Sequence, residues 1–321
     1  MHVTREVREV IMSRTFGPSS APPIPDPSVL EGVTAPTFAY LPDPSTLFAR
    51  RAARFRHLAQ NNPLSPYLTF LAGLSEAQHA AIAATPAPEP VEAAQVERAR
   101  ANEMPPLDRS HFTTDAAFDT LFERALAEAT KIEQPEAART ALERVRMASD
   151  VARGEMIRNV LASSIPEEAL AEHLYVAAAL EAHFARLASQ LDAARLVPVG
   201  DGVCPTCGGP PVGSLIVNWP TSHGARYCAC ALCGTLWNYV RVRCTACGST
   251  AGIGYQEMEG GNGAVKAETC DTCHAYSKVF YLTQDDGLDP VADDVASLAL
   301  DIKQKDGPYR RAAFNPFLLG Y

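Results

Sequence analysis

Between residues 46 and 192, apolar side chains recur at the three- and four-residue spacing of amphipathic helices. In DPSTLFARRAARFRHLAQ, Ser45 or Thr46 is placed to cap, and Leu47, Ala52, Phe55, Leu58 and Ala59 form an approximate stripe. The run 62–84 sets Tyr67, Phe70, Leu71 and Leu74 on one face. Breaks at ATPAPEP (84–90) and MPPLDRS (104–110) flank an Ala/Glu/Arg-rich helix. From Thr114 to Asp192 the pattern predicts helices over 114–131, 134–149, 150–163 and 166–192. The last opens with SIPEE, where proline and the acids suit a helix N-terminus. At VPVGDGV (197–203) the periodicity stops, and Gly, Cys and β-branched residues take over as short alternating runs. Helical spacing returns at 290–305. Upstream of the first helix, residues 1–45 are rich in proline and turn formers and read as an arm.

Composition adds exclusions. The 321 residues are 47% hydrophobic and carry a net charge of -9, which argues against a protein that coats nucleic acid. No run approaches the roughly 20 apolar residues needed to span a bilayer. The best candidate, 174–188, is interrupted by Glu181, His183 and Arg186. With no secretory run at the N-terminus either, the expected address is cytoplasmic, without membrane insertion. Histidines 57, 79, 111, 173 and 183 share no ligand spacing; His79, His173 and His183 are expected at the core edge or on the surface.

All nine cysteines lie between 204 and 273. Eight form four CxxC pairs in two quartets, Cys204, Cys207, Cys230, Cys233 and Cys244, Cys247, Cys270, Cys273, with 22 residues between the pairs of each quartet. The quartets align at an offset of 40 residues without a gap. Each unit reads knuckle, strand, turn, strand, knuckle, strand. Hairpins this short bury too little apolar surface to stand alone, and a metal held by two facing knuckles supplies what they lack. Glycine after the second cysteine, as at Gly208, Gly234 and Gly248, permits the knuckle turn. Four thiolates in this spacing are the donor set of a zinc ribbon or a rubredoxin iron site, and spacing does not separate iron from zinc. Cys228 is left over and reads as a free thiol; His223 and His274 are expected in solvent. Arg226, Arg241, Arg243, Lys266 and Lys278 are near enough in sequence to offset the charge of the cages.

Three function classes compete. A zinc-ribbon nucleic-acid binder should show a basic surplus, yet residues 197–283 hold five cations and five acids. A rubredoxin-like electron carrier leaves a helical domain of some 200 residues unexplained. An assembly protein uses both parts. No phosphate-cradling loop or nucleophile elbow is present, and closed tetrathiolate sites offer no open position for Lewis-acid chemistry, so no enzyme activity is expected.

From about residue 44 onward the chain resembles the FdhE family of formate dehydrogenase accessory proteins. The likeness rests on FARRAARFRHLAQNNPLSPYLTFLAGLSEAQ, PPLD at 105–108, CPTCGGPPVGSLI, RYCACALCGTLWNYVRVRCTACG, KAETCDTCHAYSKVFY and the tail GPYRRAAFNPFLL. It implies an α + small β fold: an N-terminal α-helical domain, two tandem rubredoxin-like or zinc-ribbon modules, and a C-terminal helix. The corresponding segments are an arm at 1–45, a helical domain at 46–196, modules at 197–243 and 244–285, and a helix and tail at 286–321. The resemblance also implies two iron ions on the eight paired cysteines, with zinc as the alternative, and a cytoplasmic partner, the immature catalytic subunit of formate dehydrogenase. A homo-oligomer is compatible with all of this. Cys228 departs from the family pattern, as does His274, where glycine commonly follows the last knuckle.

Overall fold

The computed structural model describes residues 35–318. Helices α1 (Leu47–Ala59), α2 (Ser65–Ala84), α3 (Ala93–Ala101), α4 (Ala116–Ala129), α5 (Glu136–Arg146), α6 (Asp150–Leu161) and α7 (Leu170–Ala188) form the N-terminal half. Start signals act largely through aspartate. The Asp115 carboxylate accepts the Phe118 N–H at 2.7 Å and opens α4. At α1 neither Ser45 nor Thr46 caps through its side chain; both hydroxyls instead donate to the Asp43 carboxylate, whose backbone carbonyl takes the Leu47 N–H. The segment expected as one helix from 166 begins as a 3-10 turn, Glu167–Ala169, before α7.

Helix α7 is the axis of this half, packed against α2, α4, α5 and α6. Fifteen of its nineteen residues are buried, so it is enclosed on all sides rather than amphipathic. Several of its polar side chains are partnered by other elements, while Glu181 Oε1, His183 Nδ1 and Arg186 Nη1 are buried without a hydrogen bond among the described residues. Glu181 pairs with Arg51 at 3.1 Å and accepts from Gln78, and Arg186 donates to the carbonyls of Thr85 and Pro86. The expectation for two histidines is corrected here. His173 and His183 are both buried, His173 between the Ala169 carbonyl and Asn159, His183 among Phe112, Phe118 and Phe184. Burial holds the His183 imidazole down at about 4, so it is neutral near pH 7. His79 is half-buried.

The second half is one sheet. Strands β2 (Pro211–Ile216), β3 (Arg226–Cys230) and β4 (Leu236–Tyr239) come from the first repeat; β5 (Ile253–Gln256), β6 (Val265–Cys270) and β7 (Ala275–Tyr281) come from the second. Together with β1 (Ala39–Tyr40) the order is β1-β4-β3-β2-β7-β6-β5, and β8 (Arg310–Arg311) pairs with β7. Each repeat is an antiparallel meander, and the two join through parallel pairing of β2 and β7, with Leu215 opposite Phe280. Gly213 permits that approach: a Cβ there would lie 2.7 Å from both the Lys278 carbonyl and the Phe280 ring. β1 comes from the segment read as an arm. Tyr40 anchors it by packing on Trp219 and Tyr227, and the Tyr227 hydroxyl donates to the Thr37 carbonyl.

The helix expected over 290–305 is two, α8 (Pro290–Ala296) and α9 (Leu298–Lys305), broken at Ser297. They close over β7 around a buried four-charge cluster. The Lys278 ammonium lies 3.1 Å from Asp294 and 2.5 Å from Asp301, and Arg311 reaches both carboxylates at 2.6 Å. Two cations and two anions cancel, and Asn315 and the Tyr276 hydroxyl supply further hydrogen bonds. No helix of the described residues is long and apolar enough to cross a membrane.

Candidate metal centres

The structure gathers the eight paired cysteines four by four. Within each quartet the sulfurs all lie within 4.8 Å of one another. In the first, Cys204 Sγ is 3.6 Å from Cys233 Sγ and Cys207 Sγ is 3.4 Å from Cys230 Sγ. In the second, the pairs Cys244–Cys273 and Cys247–Cys270 stand at 3.7 and 3.8 Å. A tetrahedron with metal–sulfur bonds of about 2.3 Å has edges of about 3.8 Å, whereas a disulfide would bring two sulfurs to about 2.05 Å. All nine cysteines are free. The donor set and its spacing thus fit one four-coordinate ion per quartet, of the kind that soft thiolates select.

Backbone geometry explains why the spacing recurs. In every knuckle the residue after the second cysteine takes the left-handed conformation: Gly208 at φ +75°, Gly234 at +74°, Gly248 at +71° and His274 at +55°. His274 therefore keeps the turn that its glycine counterparts make, at the cost of a Cβ in a crowded region of φ/ψ space. The turn aims backbone N–H groups at sulfur, as from Cys233 to Cys230 and from Ala246 to Cys244. Burial pushes the Cys204 and Cys207 thiols up. At Cys270, N–H groups of Cys273 and Thr272 outweigh burial and bring the thiol down to about 7.

The two quartets differ in their surroundings. Cys204, Cys207, Cys230 and Cys233 belong to the main hydrophobic core together with helical residues such as Phe48, Leu180 and Phe184. The PPLD segment roofs this quartet: Leu107 N–H donates to Thr206 O and Arg109 N–H to Cys207 O. A hydroxyl chain, Cys233 to Thr235 to Thr206, closes it from below. In the second quartet Cys244 and Cys270 are buried, Cys273 is half-buried and Cys247 is exposed. Its knuckles are tied to each other by the Ser249–Thr272 hydroxyl contact, and Asp271 receives the Tyr309 hydroxyl.

Cys228 joins neither quartet. It is fully buried on β3, 3.8 Å from Ser214 Oγ, and burial pushes its thiol up to about 11 despite Arg226 nearby. His223 and His274 are exposed. The five cations expected to offset the cage charge each have a partner other than a cage sulfur. Arg226 makes a buried bidentate pair with Glu268, at 3.0 and 2.8 Å, that ties the first repeat to the second. Arg243 pairs with Asp201, Lys266 with Glu257 and Lys278 with the tail acids, and Arg241 donates to the Gly224 carbonyl. Sequence reading missed the Arg226–Glu268 link and the Thr206–Thr235 hydroxyls. The 40-residue offset hinted at the former, since it aligns Cys228 with Glu268 and so marks a position where the repeats diverge.

Residues 36–201 match the family model of the FdhE N-terminal domain, 203–241 that of the FdhE central domain and 242–318 that of the FdhE C-terminal domain. The chain belongs to the FdhE family. An FdhE homologue of Rhizobium meliloti (strain 1021) is 50% identical over 305 residues, covering 94% of this chain and 100% of that protein. Protein FdhE of Escherichia coli (strain K12 / DH10B) is 34% identical over 274 residues, covering 85% of this chain and 88% of that one. Among solved structures, the crystal structure of the FdhE protein from Pseudomonas aeruginosa superposes with a TM-score of 0.79 at 30% identity, covering 89% of this chain and 99% of that chain. This FdhE-family chain thus shares its overall fold with a solved family member, and within that fold it carries two tetracysteine groups.

Proposed function

We propose that this FdhE-family protein is a cytoplasmic, non-catalytic accessory factor that docks the immature catalytic subunit of formate dehydrogenase, with an iron ion in each cysteine cage. Zinc is the alternative ion for the same donors. The observation that carries this reading is the pair of four-sulfur cages on one sheet whose first-repeat strands share a hydrophobic core with the helical domain. Cys204, Cys207, Cys230 and Cys233 would hold one ion; Cys244, Cys247, Cys270 and Cys273 would hold the other. Such an ion stabilises the fold by drawing in four thiolates, and with all four positions taken by sulfur no site is left for substrate. A cage merged with a helical domain makes a rigid surface suited to holding another protein.

Metal content and the visible spectrum of anaerobically purified protein test the cages; two iron ions per chain with thiolate-to-iron colour are expected, and a colourless protein with two zinc ions selects the alternative. Co-purification with the formate dehydrogenase catalytic subunit tests the partner. Cys-to-Ser variants in each cage are expected to weaken capture, and full support of enzyme activity by metal-free variants would refute a role for the cages.

A further inference from the structure

The two cages share their donor set and differ in access. The four cysteines of the first are at most 2% exposed and lie inside the main core, under Pro105, Leu107 and Pro42. A Cβ on Gly208 would touch Pro105 at 3.2 Å, and one on Gly234 would touch Leu47 at 3.1 Å, so helical-domain side chains sit directly on both knuckles. The second cage has no such cover among the described residues: Cys247 is exposed, Cys273 is half-buried, and none of its cysteines belongs to a hydrophobic core cluster.

We propose that the second cage is an exchange site, whose ion passes to and from soft thiolate ligands through its Cys247–Cys273 side, while the first cage holds a permanent ion built into the core. The inference rests on the reading that both quartets bind metal. A four-coordinate ion of this kind exchanges ligands by briefly accepting a fifth, which needs room beside it. Room exists at the second cage and not at the first. An incoming thiolate displaces the Cys247 sulfur, further thiolates displace the rest, the ion leaves with them, and the freed cysteine thiolates take protons from the buffer. At the first cage the same step requires the roof of 105–109 to lift away, which breaks the backbone hydrogen bonds to Thr206 and Cys207. Solvent access set by the surrounding apolar shell controls such exchange.

The test uses full-length protein loaded with two equivalents of zinc, its stoichiometry measured first. It is challenged with excess 4-(2-pyridylazo)resorcinol, with and without reduced glutathione. One equivalent is expected to leave in a fast phase that accelerates with glutathione, with no change in circular dichroism. The second should leave at least about tenfold more slowly and only as the helical signal is lost. Cys247→Ser should abolish the fast phase and leave the slow one. Because Cys204→Ser is liable not to fold, wild-type protein treated with chelator is also alkylated with iodoacetamide and mapped by mass spectrometry. Cys247 and Cys273 should be modified first, with Cys204, Cys207, Cys230 and Cys233 protected. Release of both ions at one rate, or equal alkylation of the two quartets, overturns the proposal. Failure to take up either zinc or iron refutes the cage reading itself, which the initial stoichiometry distinguishes.

Discussion

At the scale of single residues, burial decides what each polar group does. Arg226 is fully enclosed and spends its guanidinium on Glu268 and on the Arg241 and Arg243 carbonyls. Arg226→Met leaves Glu268 a buried charge with only the Tyr255 hydroxyl, so a loss of about 3–5 kcal/mol is expected in urea unfolding. Adding Glu268→Leu should recover most of it, because the stranded charge goes too. His183 offers a pH test away from the cages. Its folded value of about 4 lies below the ordinary 6.5, chiefly through burial, with Asp115 opposing and Arg186 reinforcing the fall. Between those values the folded protein binds fewer protons than the unfolded chain. The stability involved is whole above pH 6.5 and is lost as pH drops through 4. His183→Phe, within its ring of phenylalanines, should flatten that decline by up to about 3 kcal/mol in a series of melts from pH 7.5 to 4.

At the scale of elements, the helices were legible from their spacing because each stripe is local, and the cysteine knuckles were legible because a CxxC turn needs only four or five residues. At α1 the boundary fell after Thr46 as expected, but Asp43 rather than a Ser45 or Thr46 hydroxyl supplied the capping oxygen. What α7 encloses could not be read locally. Glu181 and Arg186 look like solvent-facing breaks in an apolar run until Arg51 and the 85–86 carbonyls arrive from other helices. The knuckle turns carry a paired prediction. His274→Gly should remove left-handed strain of about 1–2 kcal/mol, less the extra freedom that glycine gives the unfolded chain, for a net gain of up to about 1 kcal/mol. Gly234→Ala should cost about 1–3 kcal/mol, since its Cβ meets Leu47 and Pro42 as well as an unfavourable φ. Thermal melts of both variants at matched metal content check the signs.

At the scale of the whole molecule, the tail, the sheet and the helical domain are held by charges that meet far apart in sequence. Lys278 on β7 is buried with Asp294 and Asp301. Lys278→Met leaves two buried carboxylates sharing the single charge of Arg311, with only the neutral donors Asn315 and Tyr276 beside it, and should lower stability by about 3–5 kcal/mol. The same variant should make α8 and α9 sensitive to limited proteolysis before the rest of the chain; uniform cleavage across the protein would contradict their being clasped by this cluster. The cages enter at this scale too, since the first shares its core with α1 and α7 while the second lies outside it.

By itself, the sequence determined which stretches are mainly helical, that eight of nine cysteines fall into two equivalent quartets, and that the chain resembles the FdhE family; all three follow from local spacing or from shared strings of residues. Tertiary structure alone decided that the repeats merge through parallel β2 and β7, that Ala39–Tyr40 completes the sheet, that four of the five cations pair with acids while Arg241 meets a carbonyl, and that one cage is enclosed and the other open. Those outcomes depend on which surfaces meet after the chain collapses, and neither strand pairing nor burial across more than a hundred residues leaves a periodic mark on the sequence.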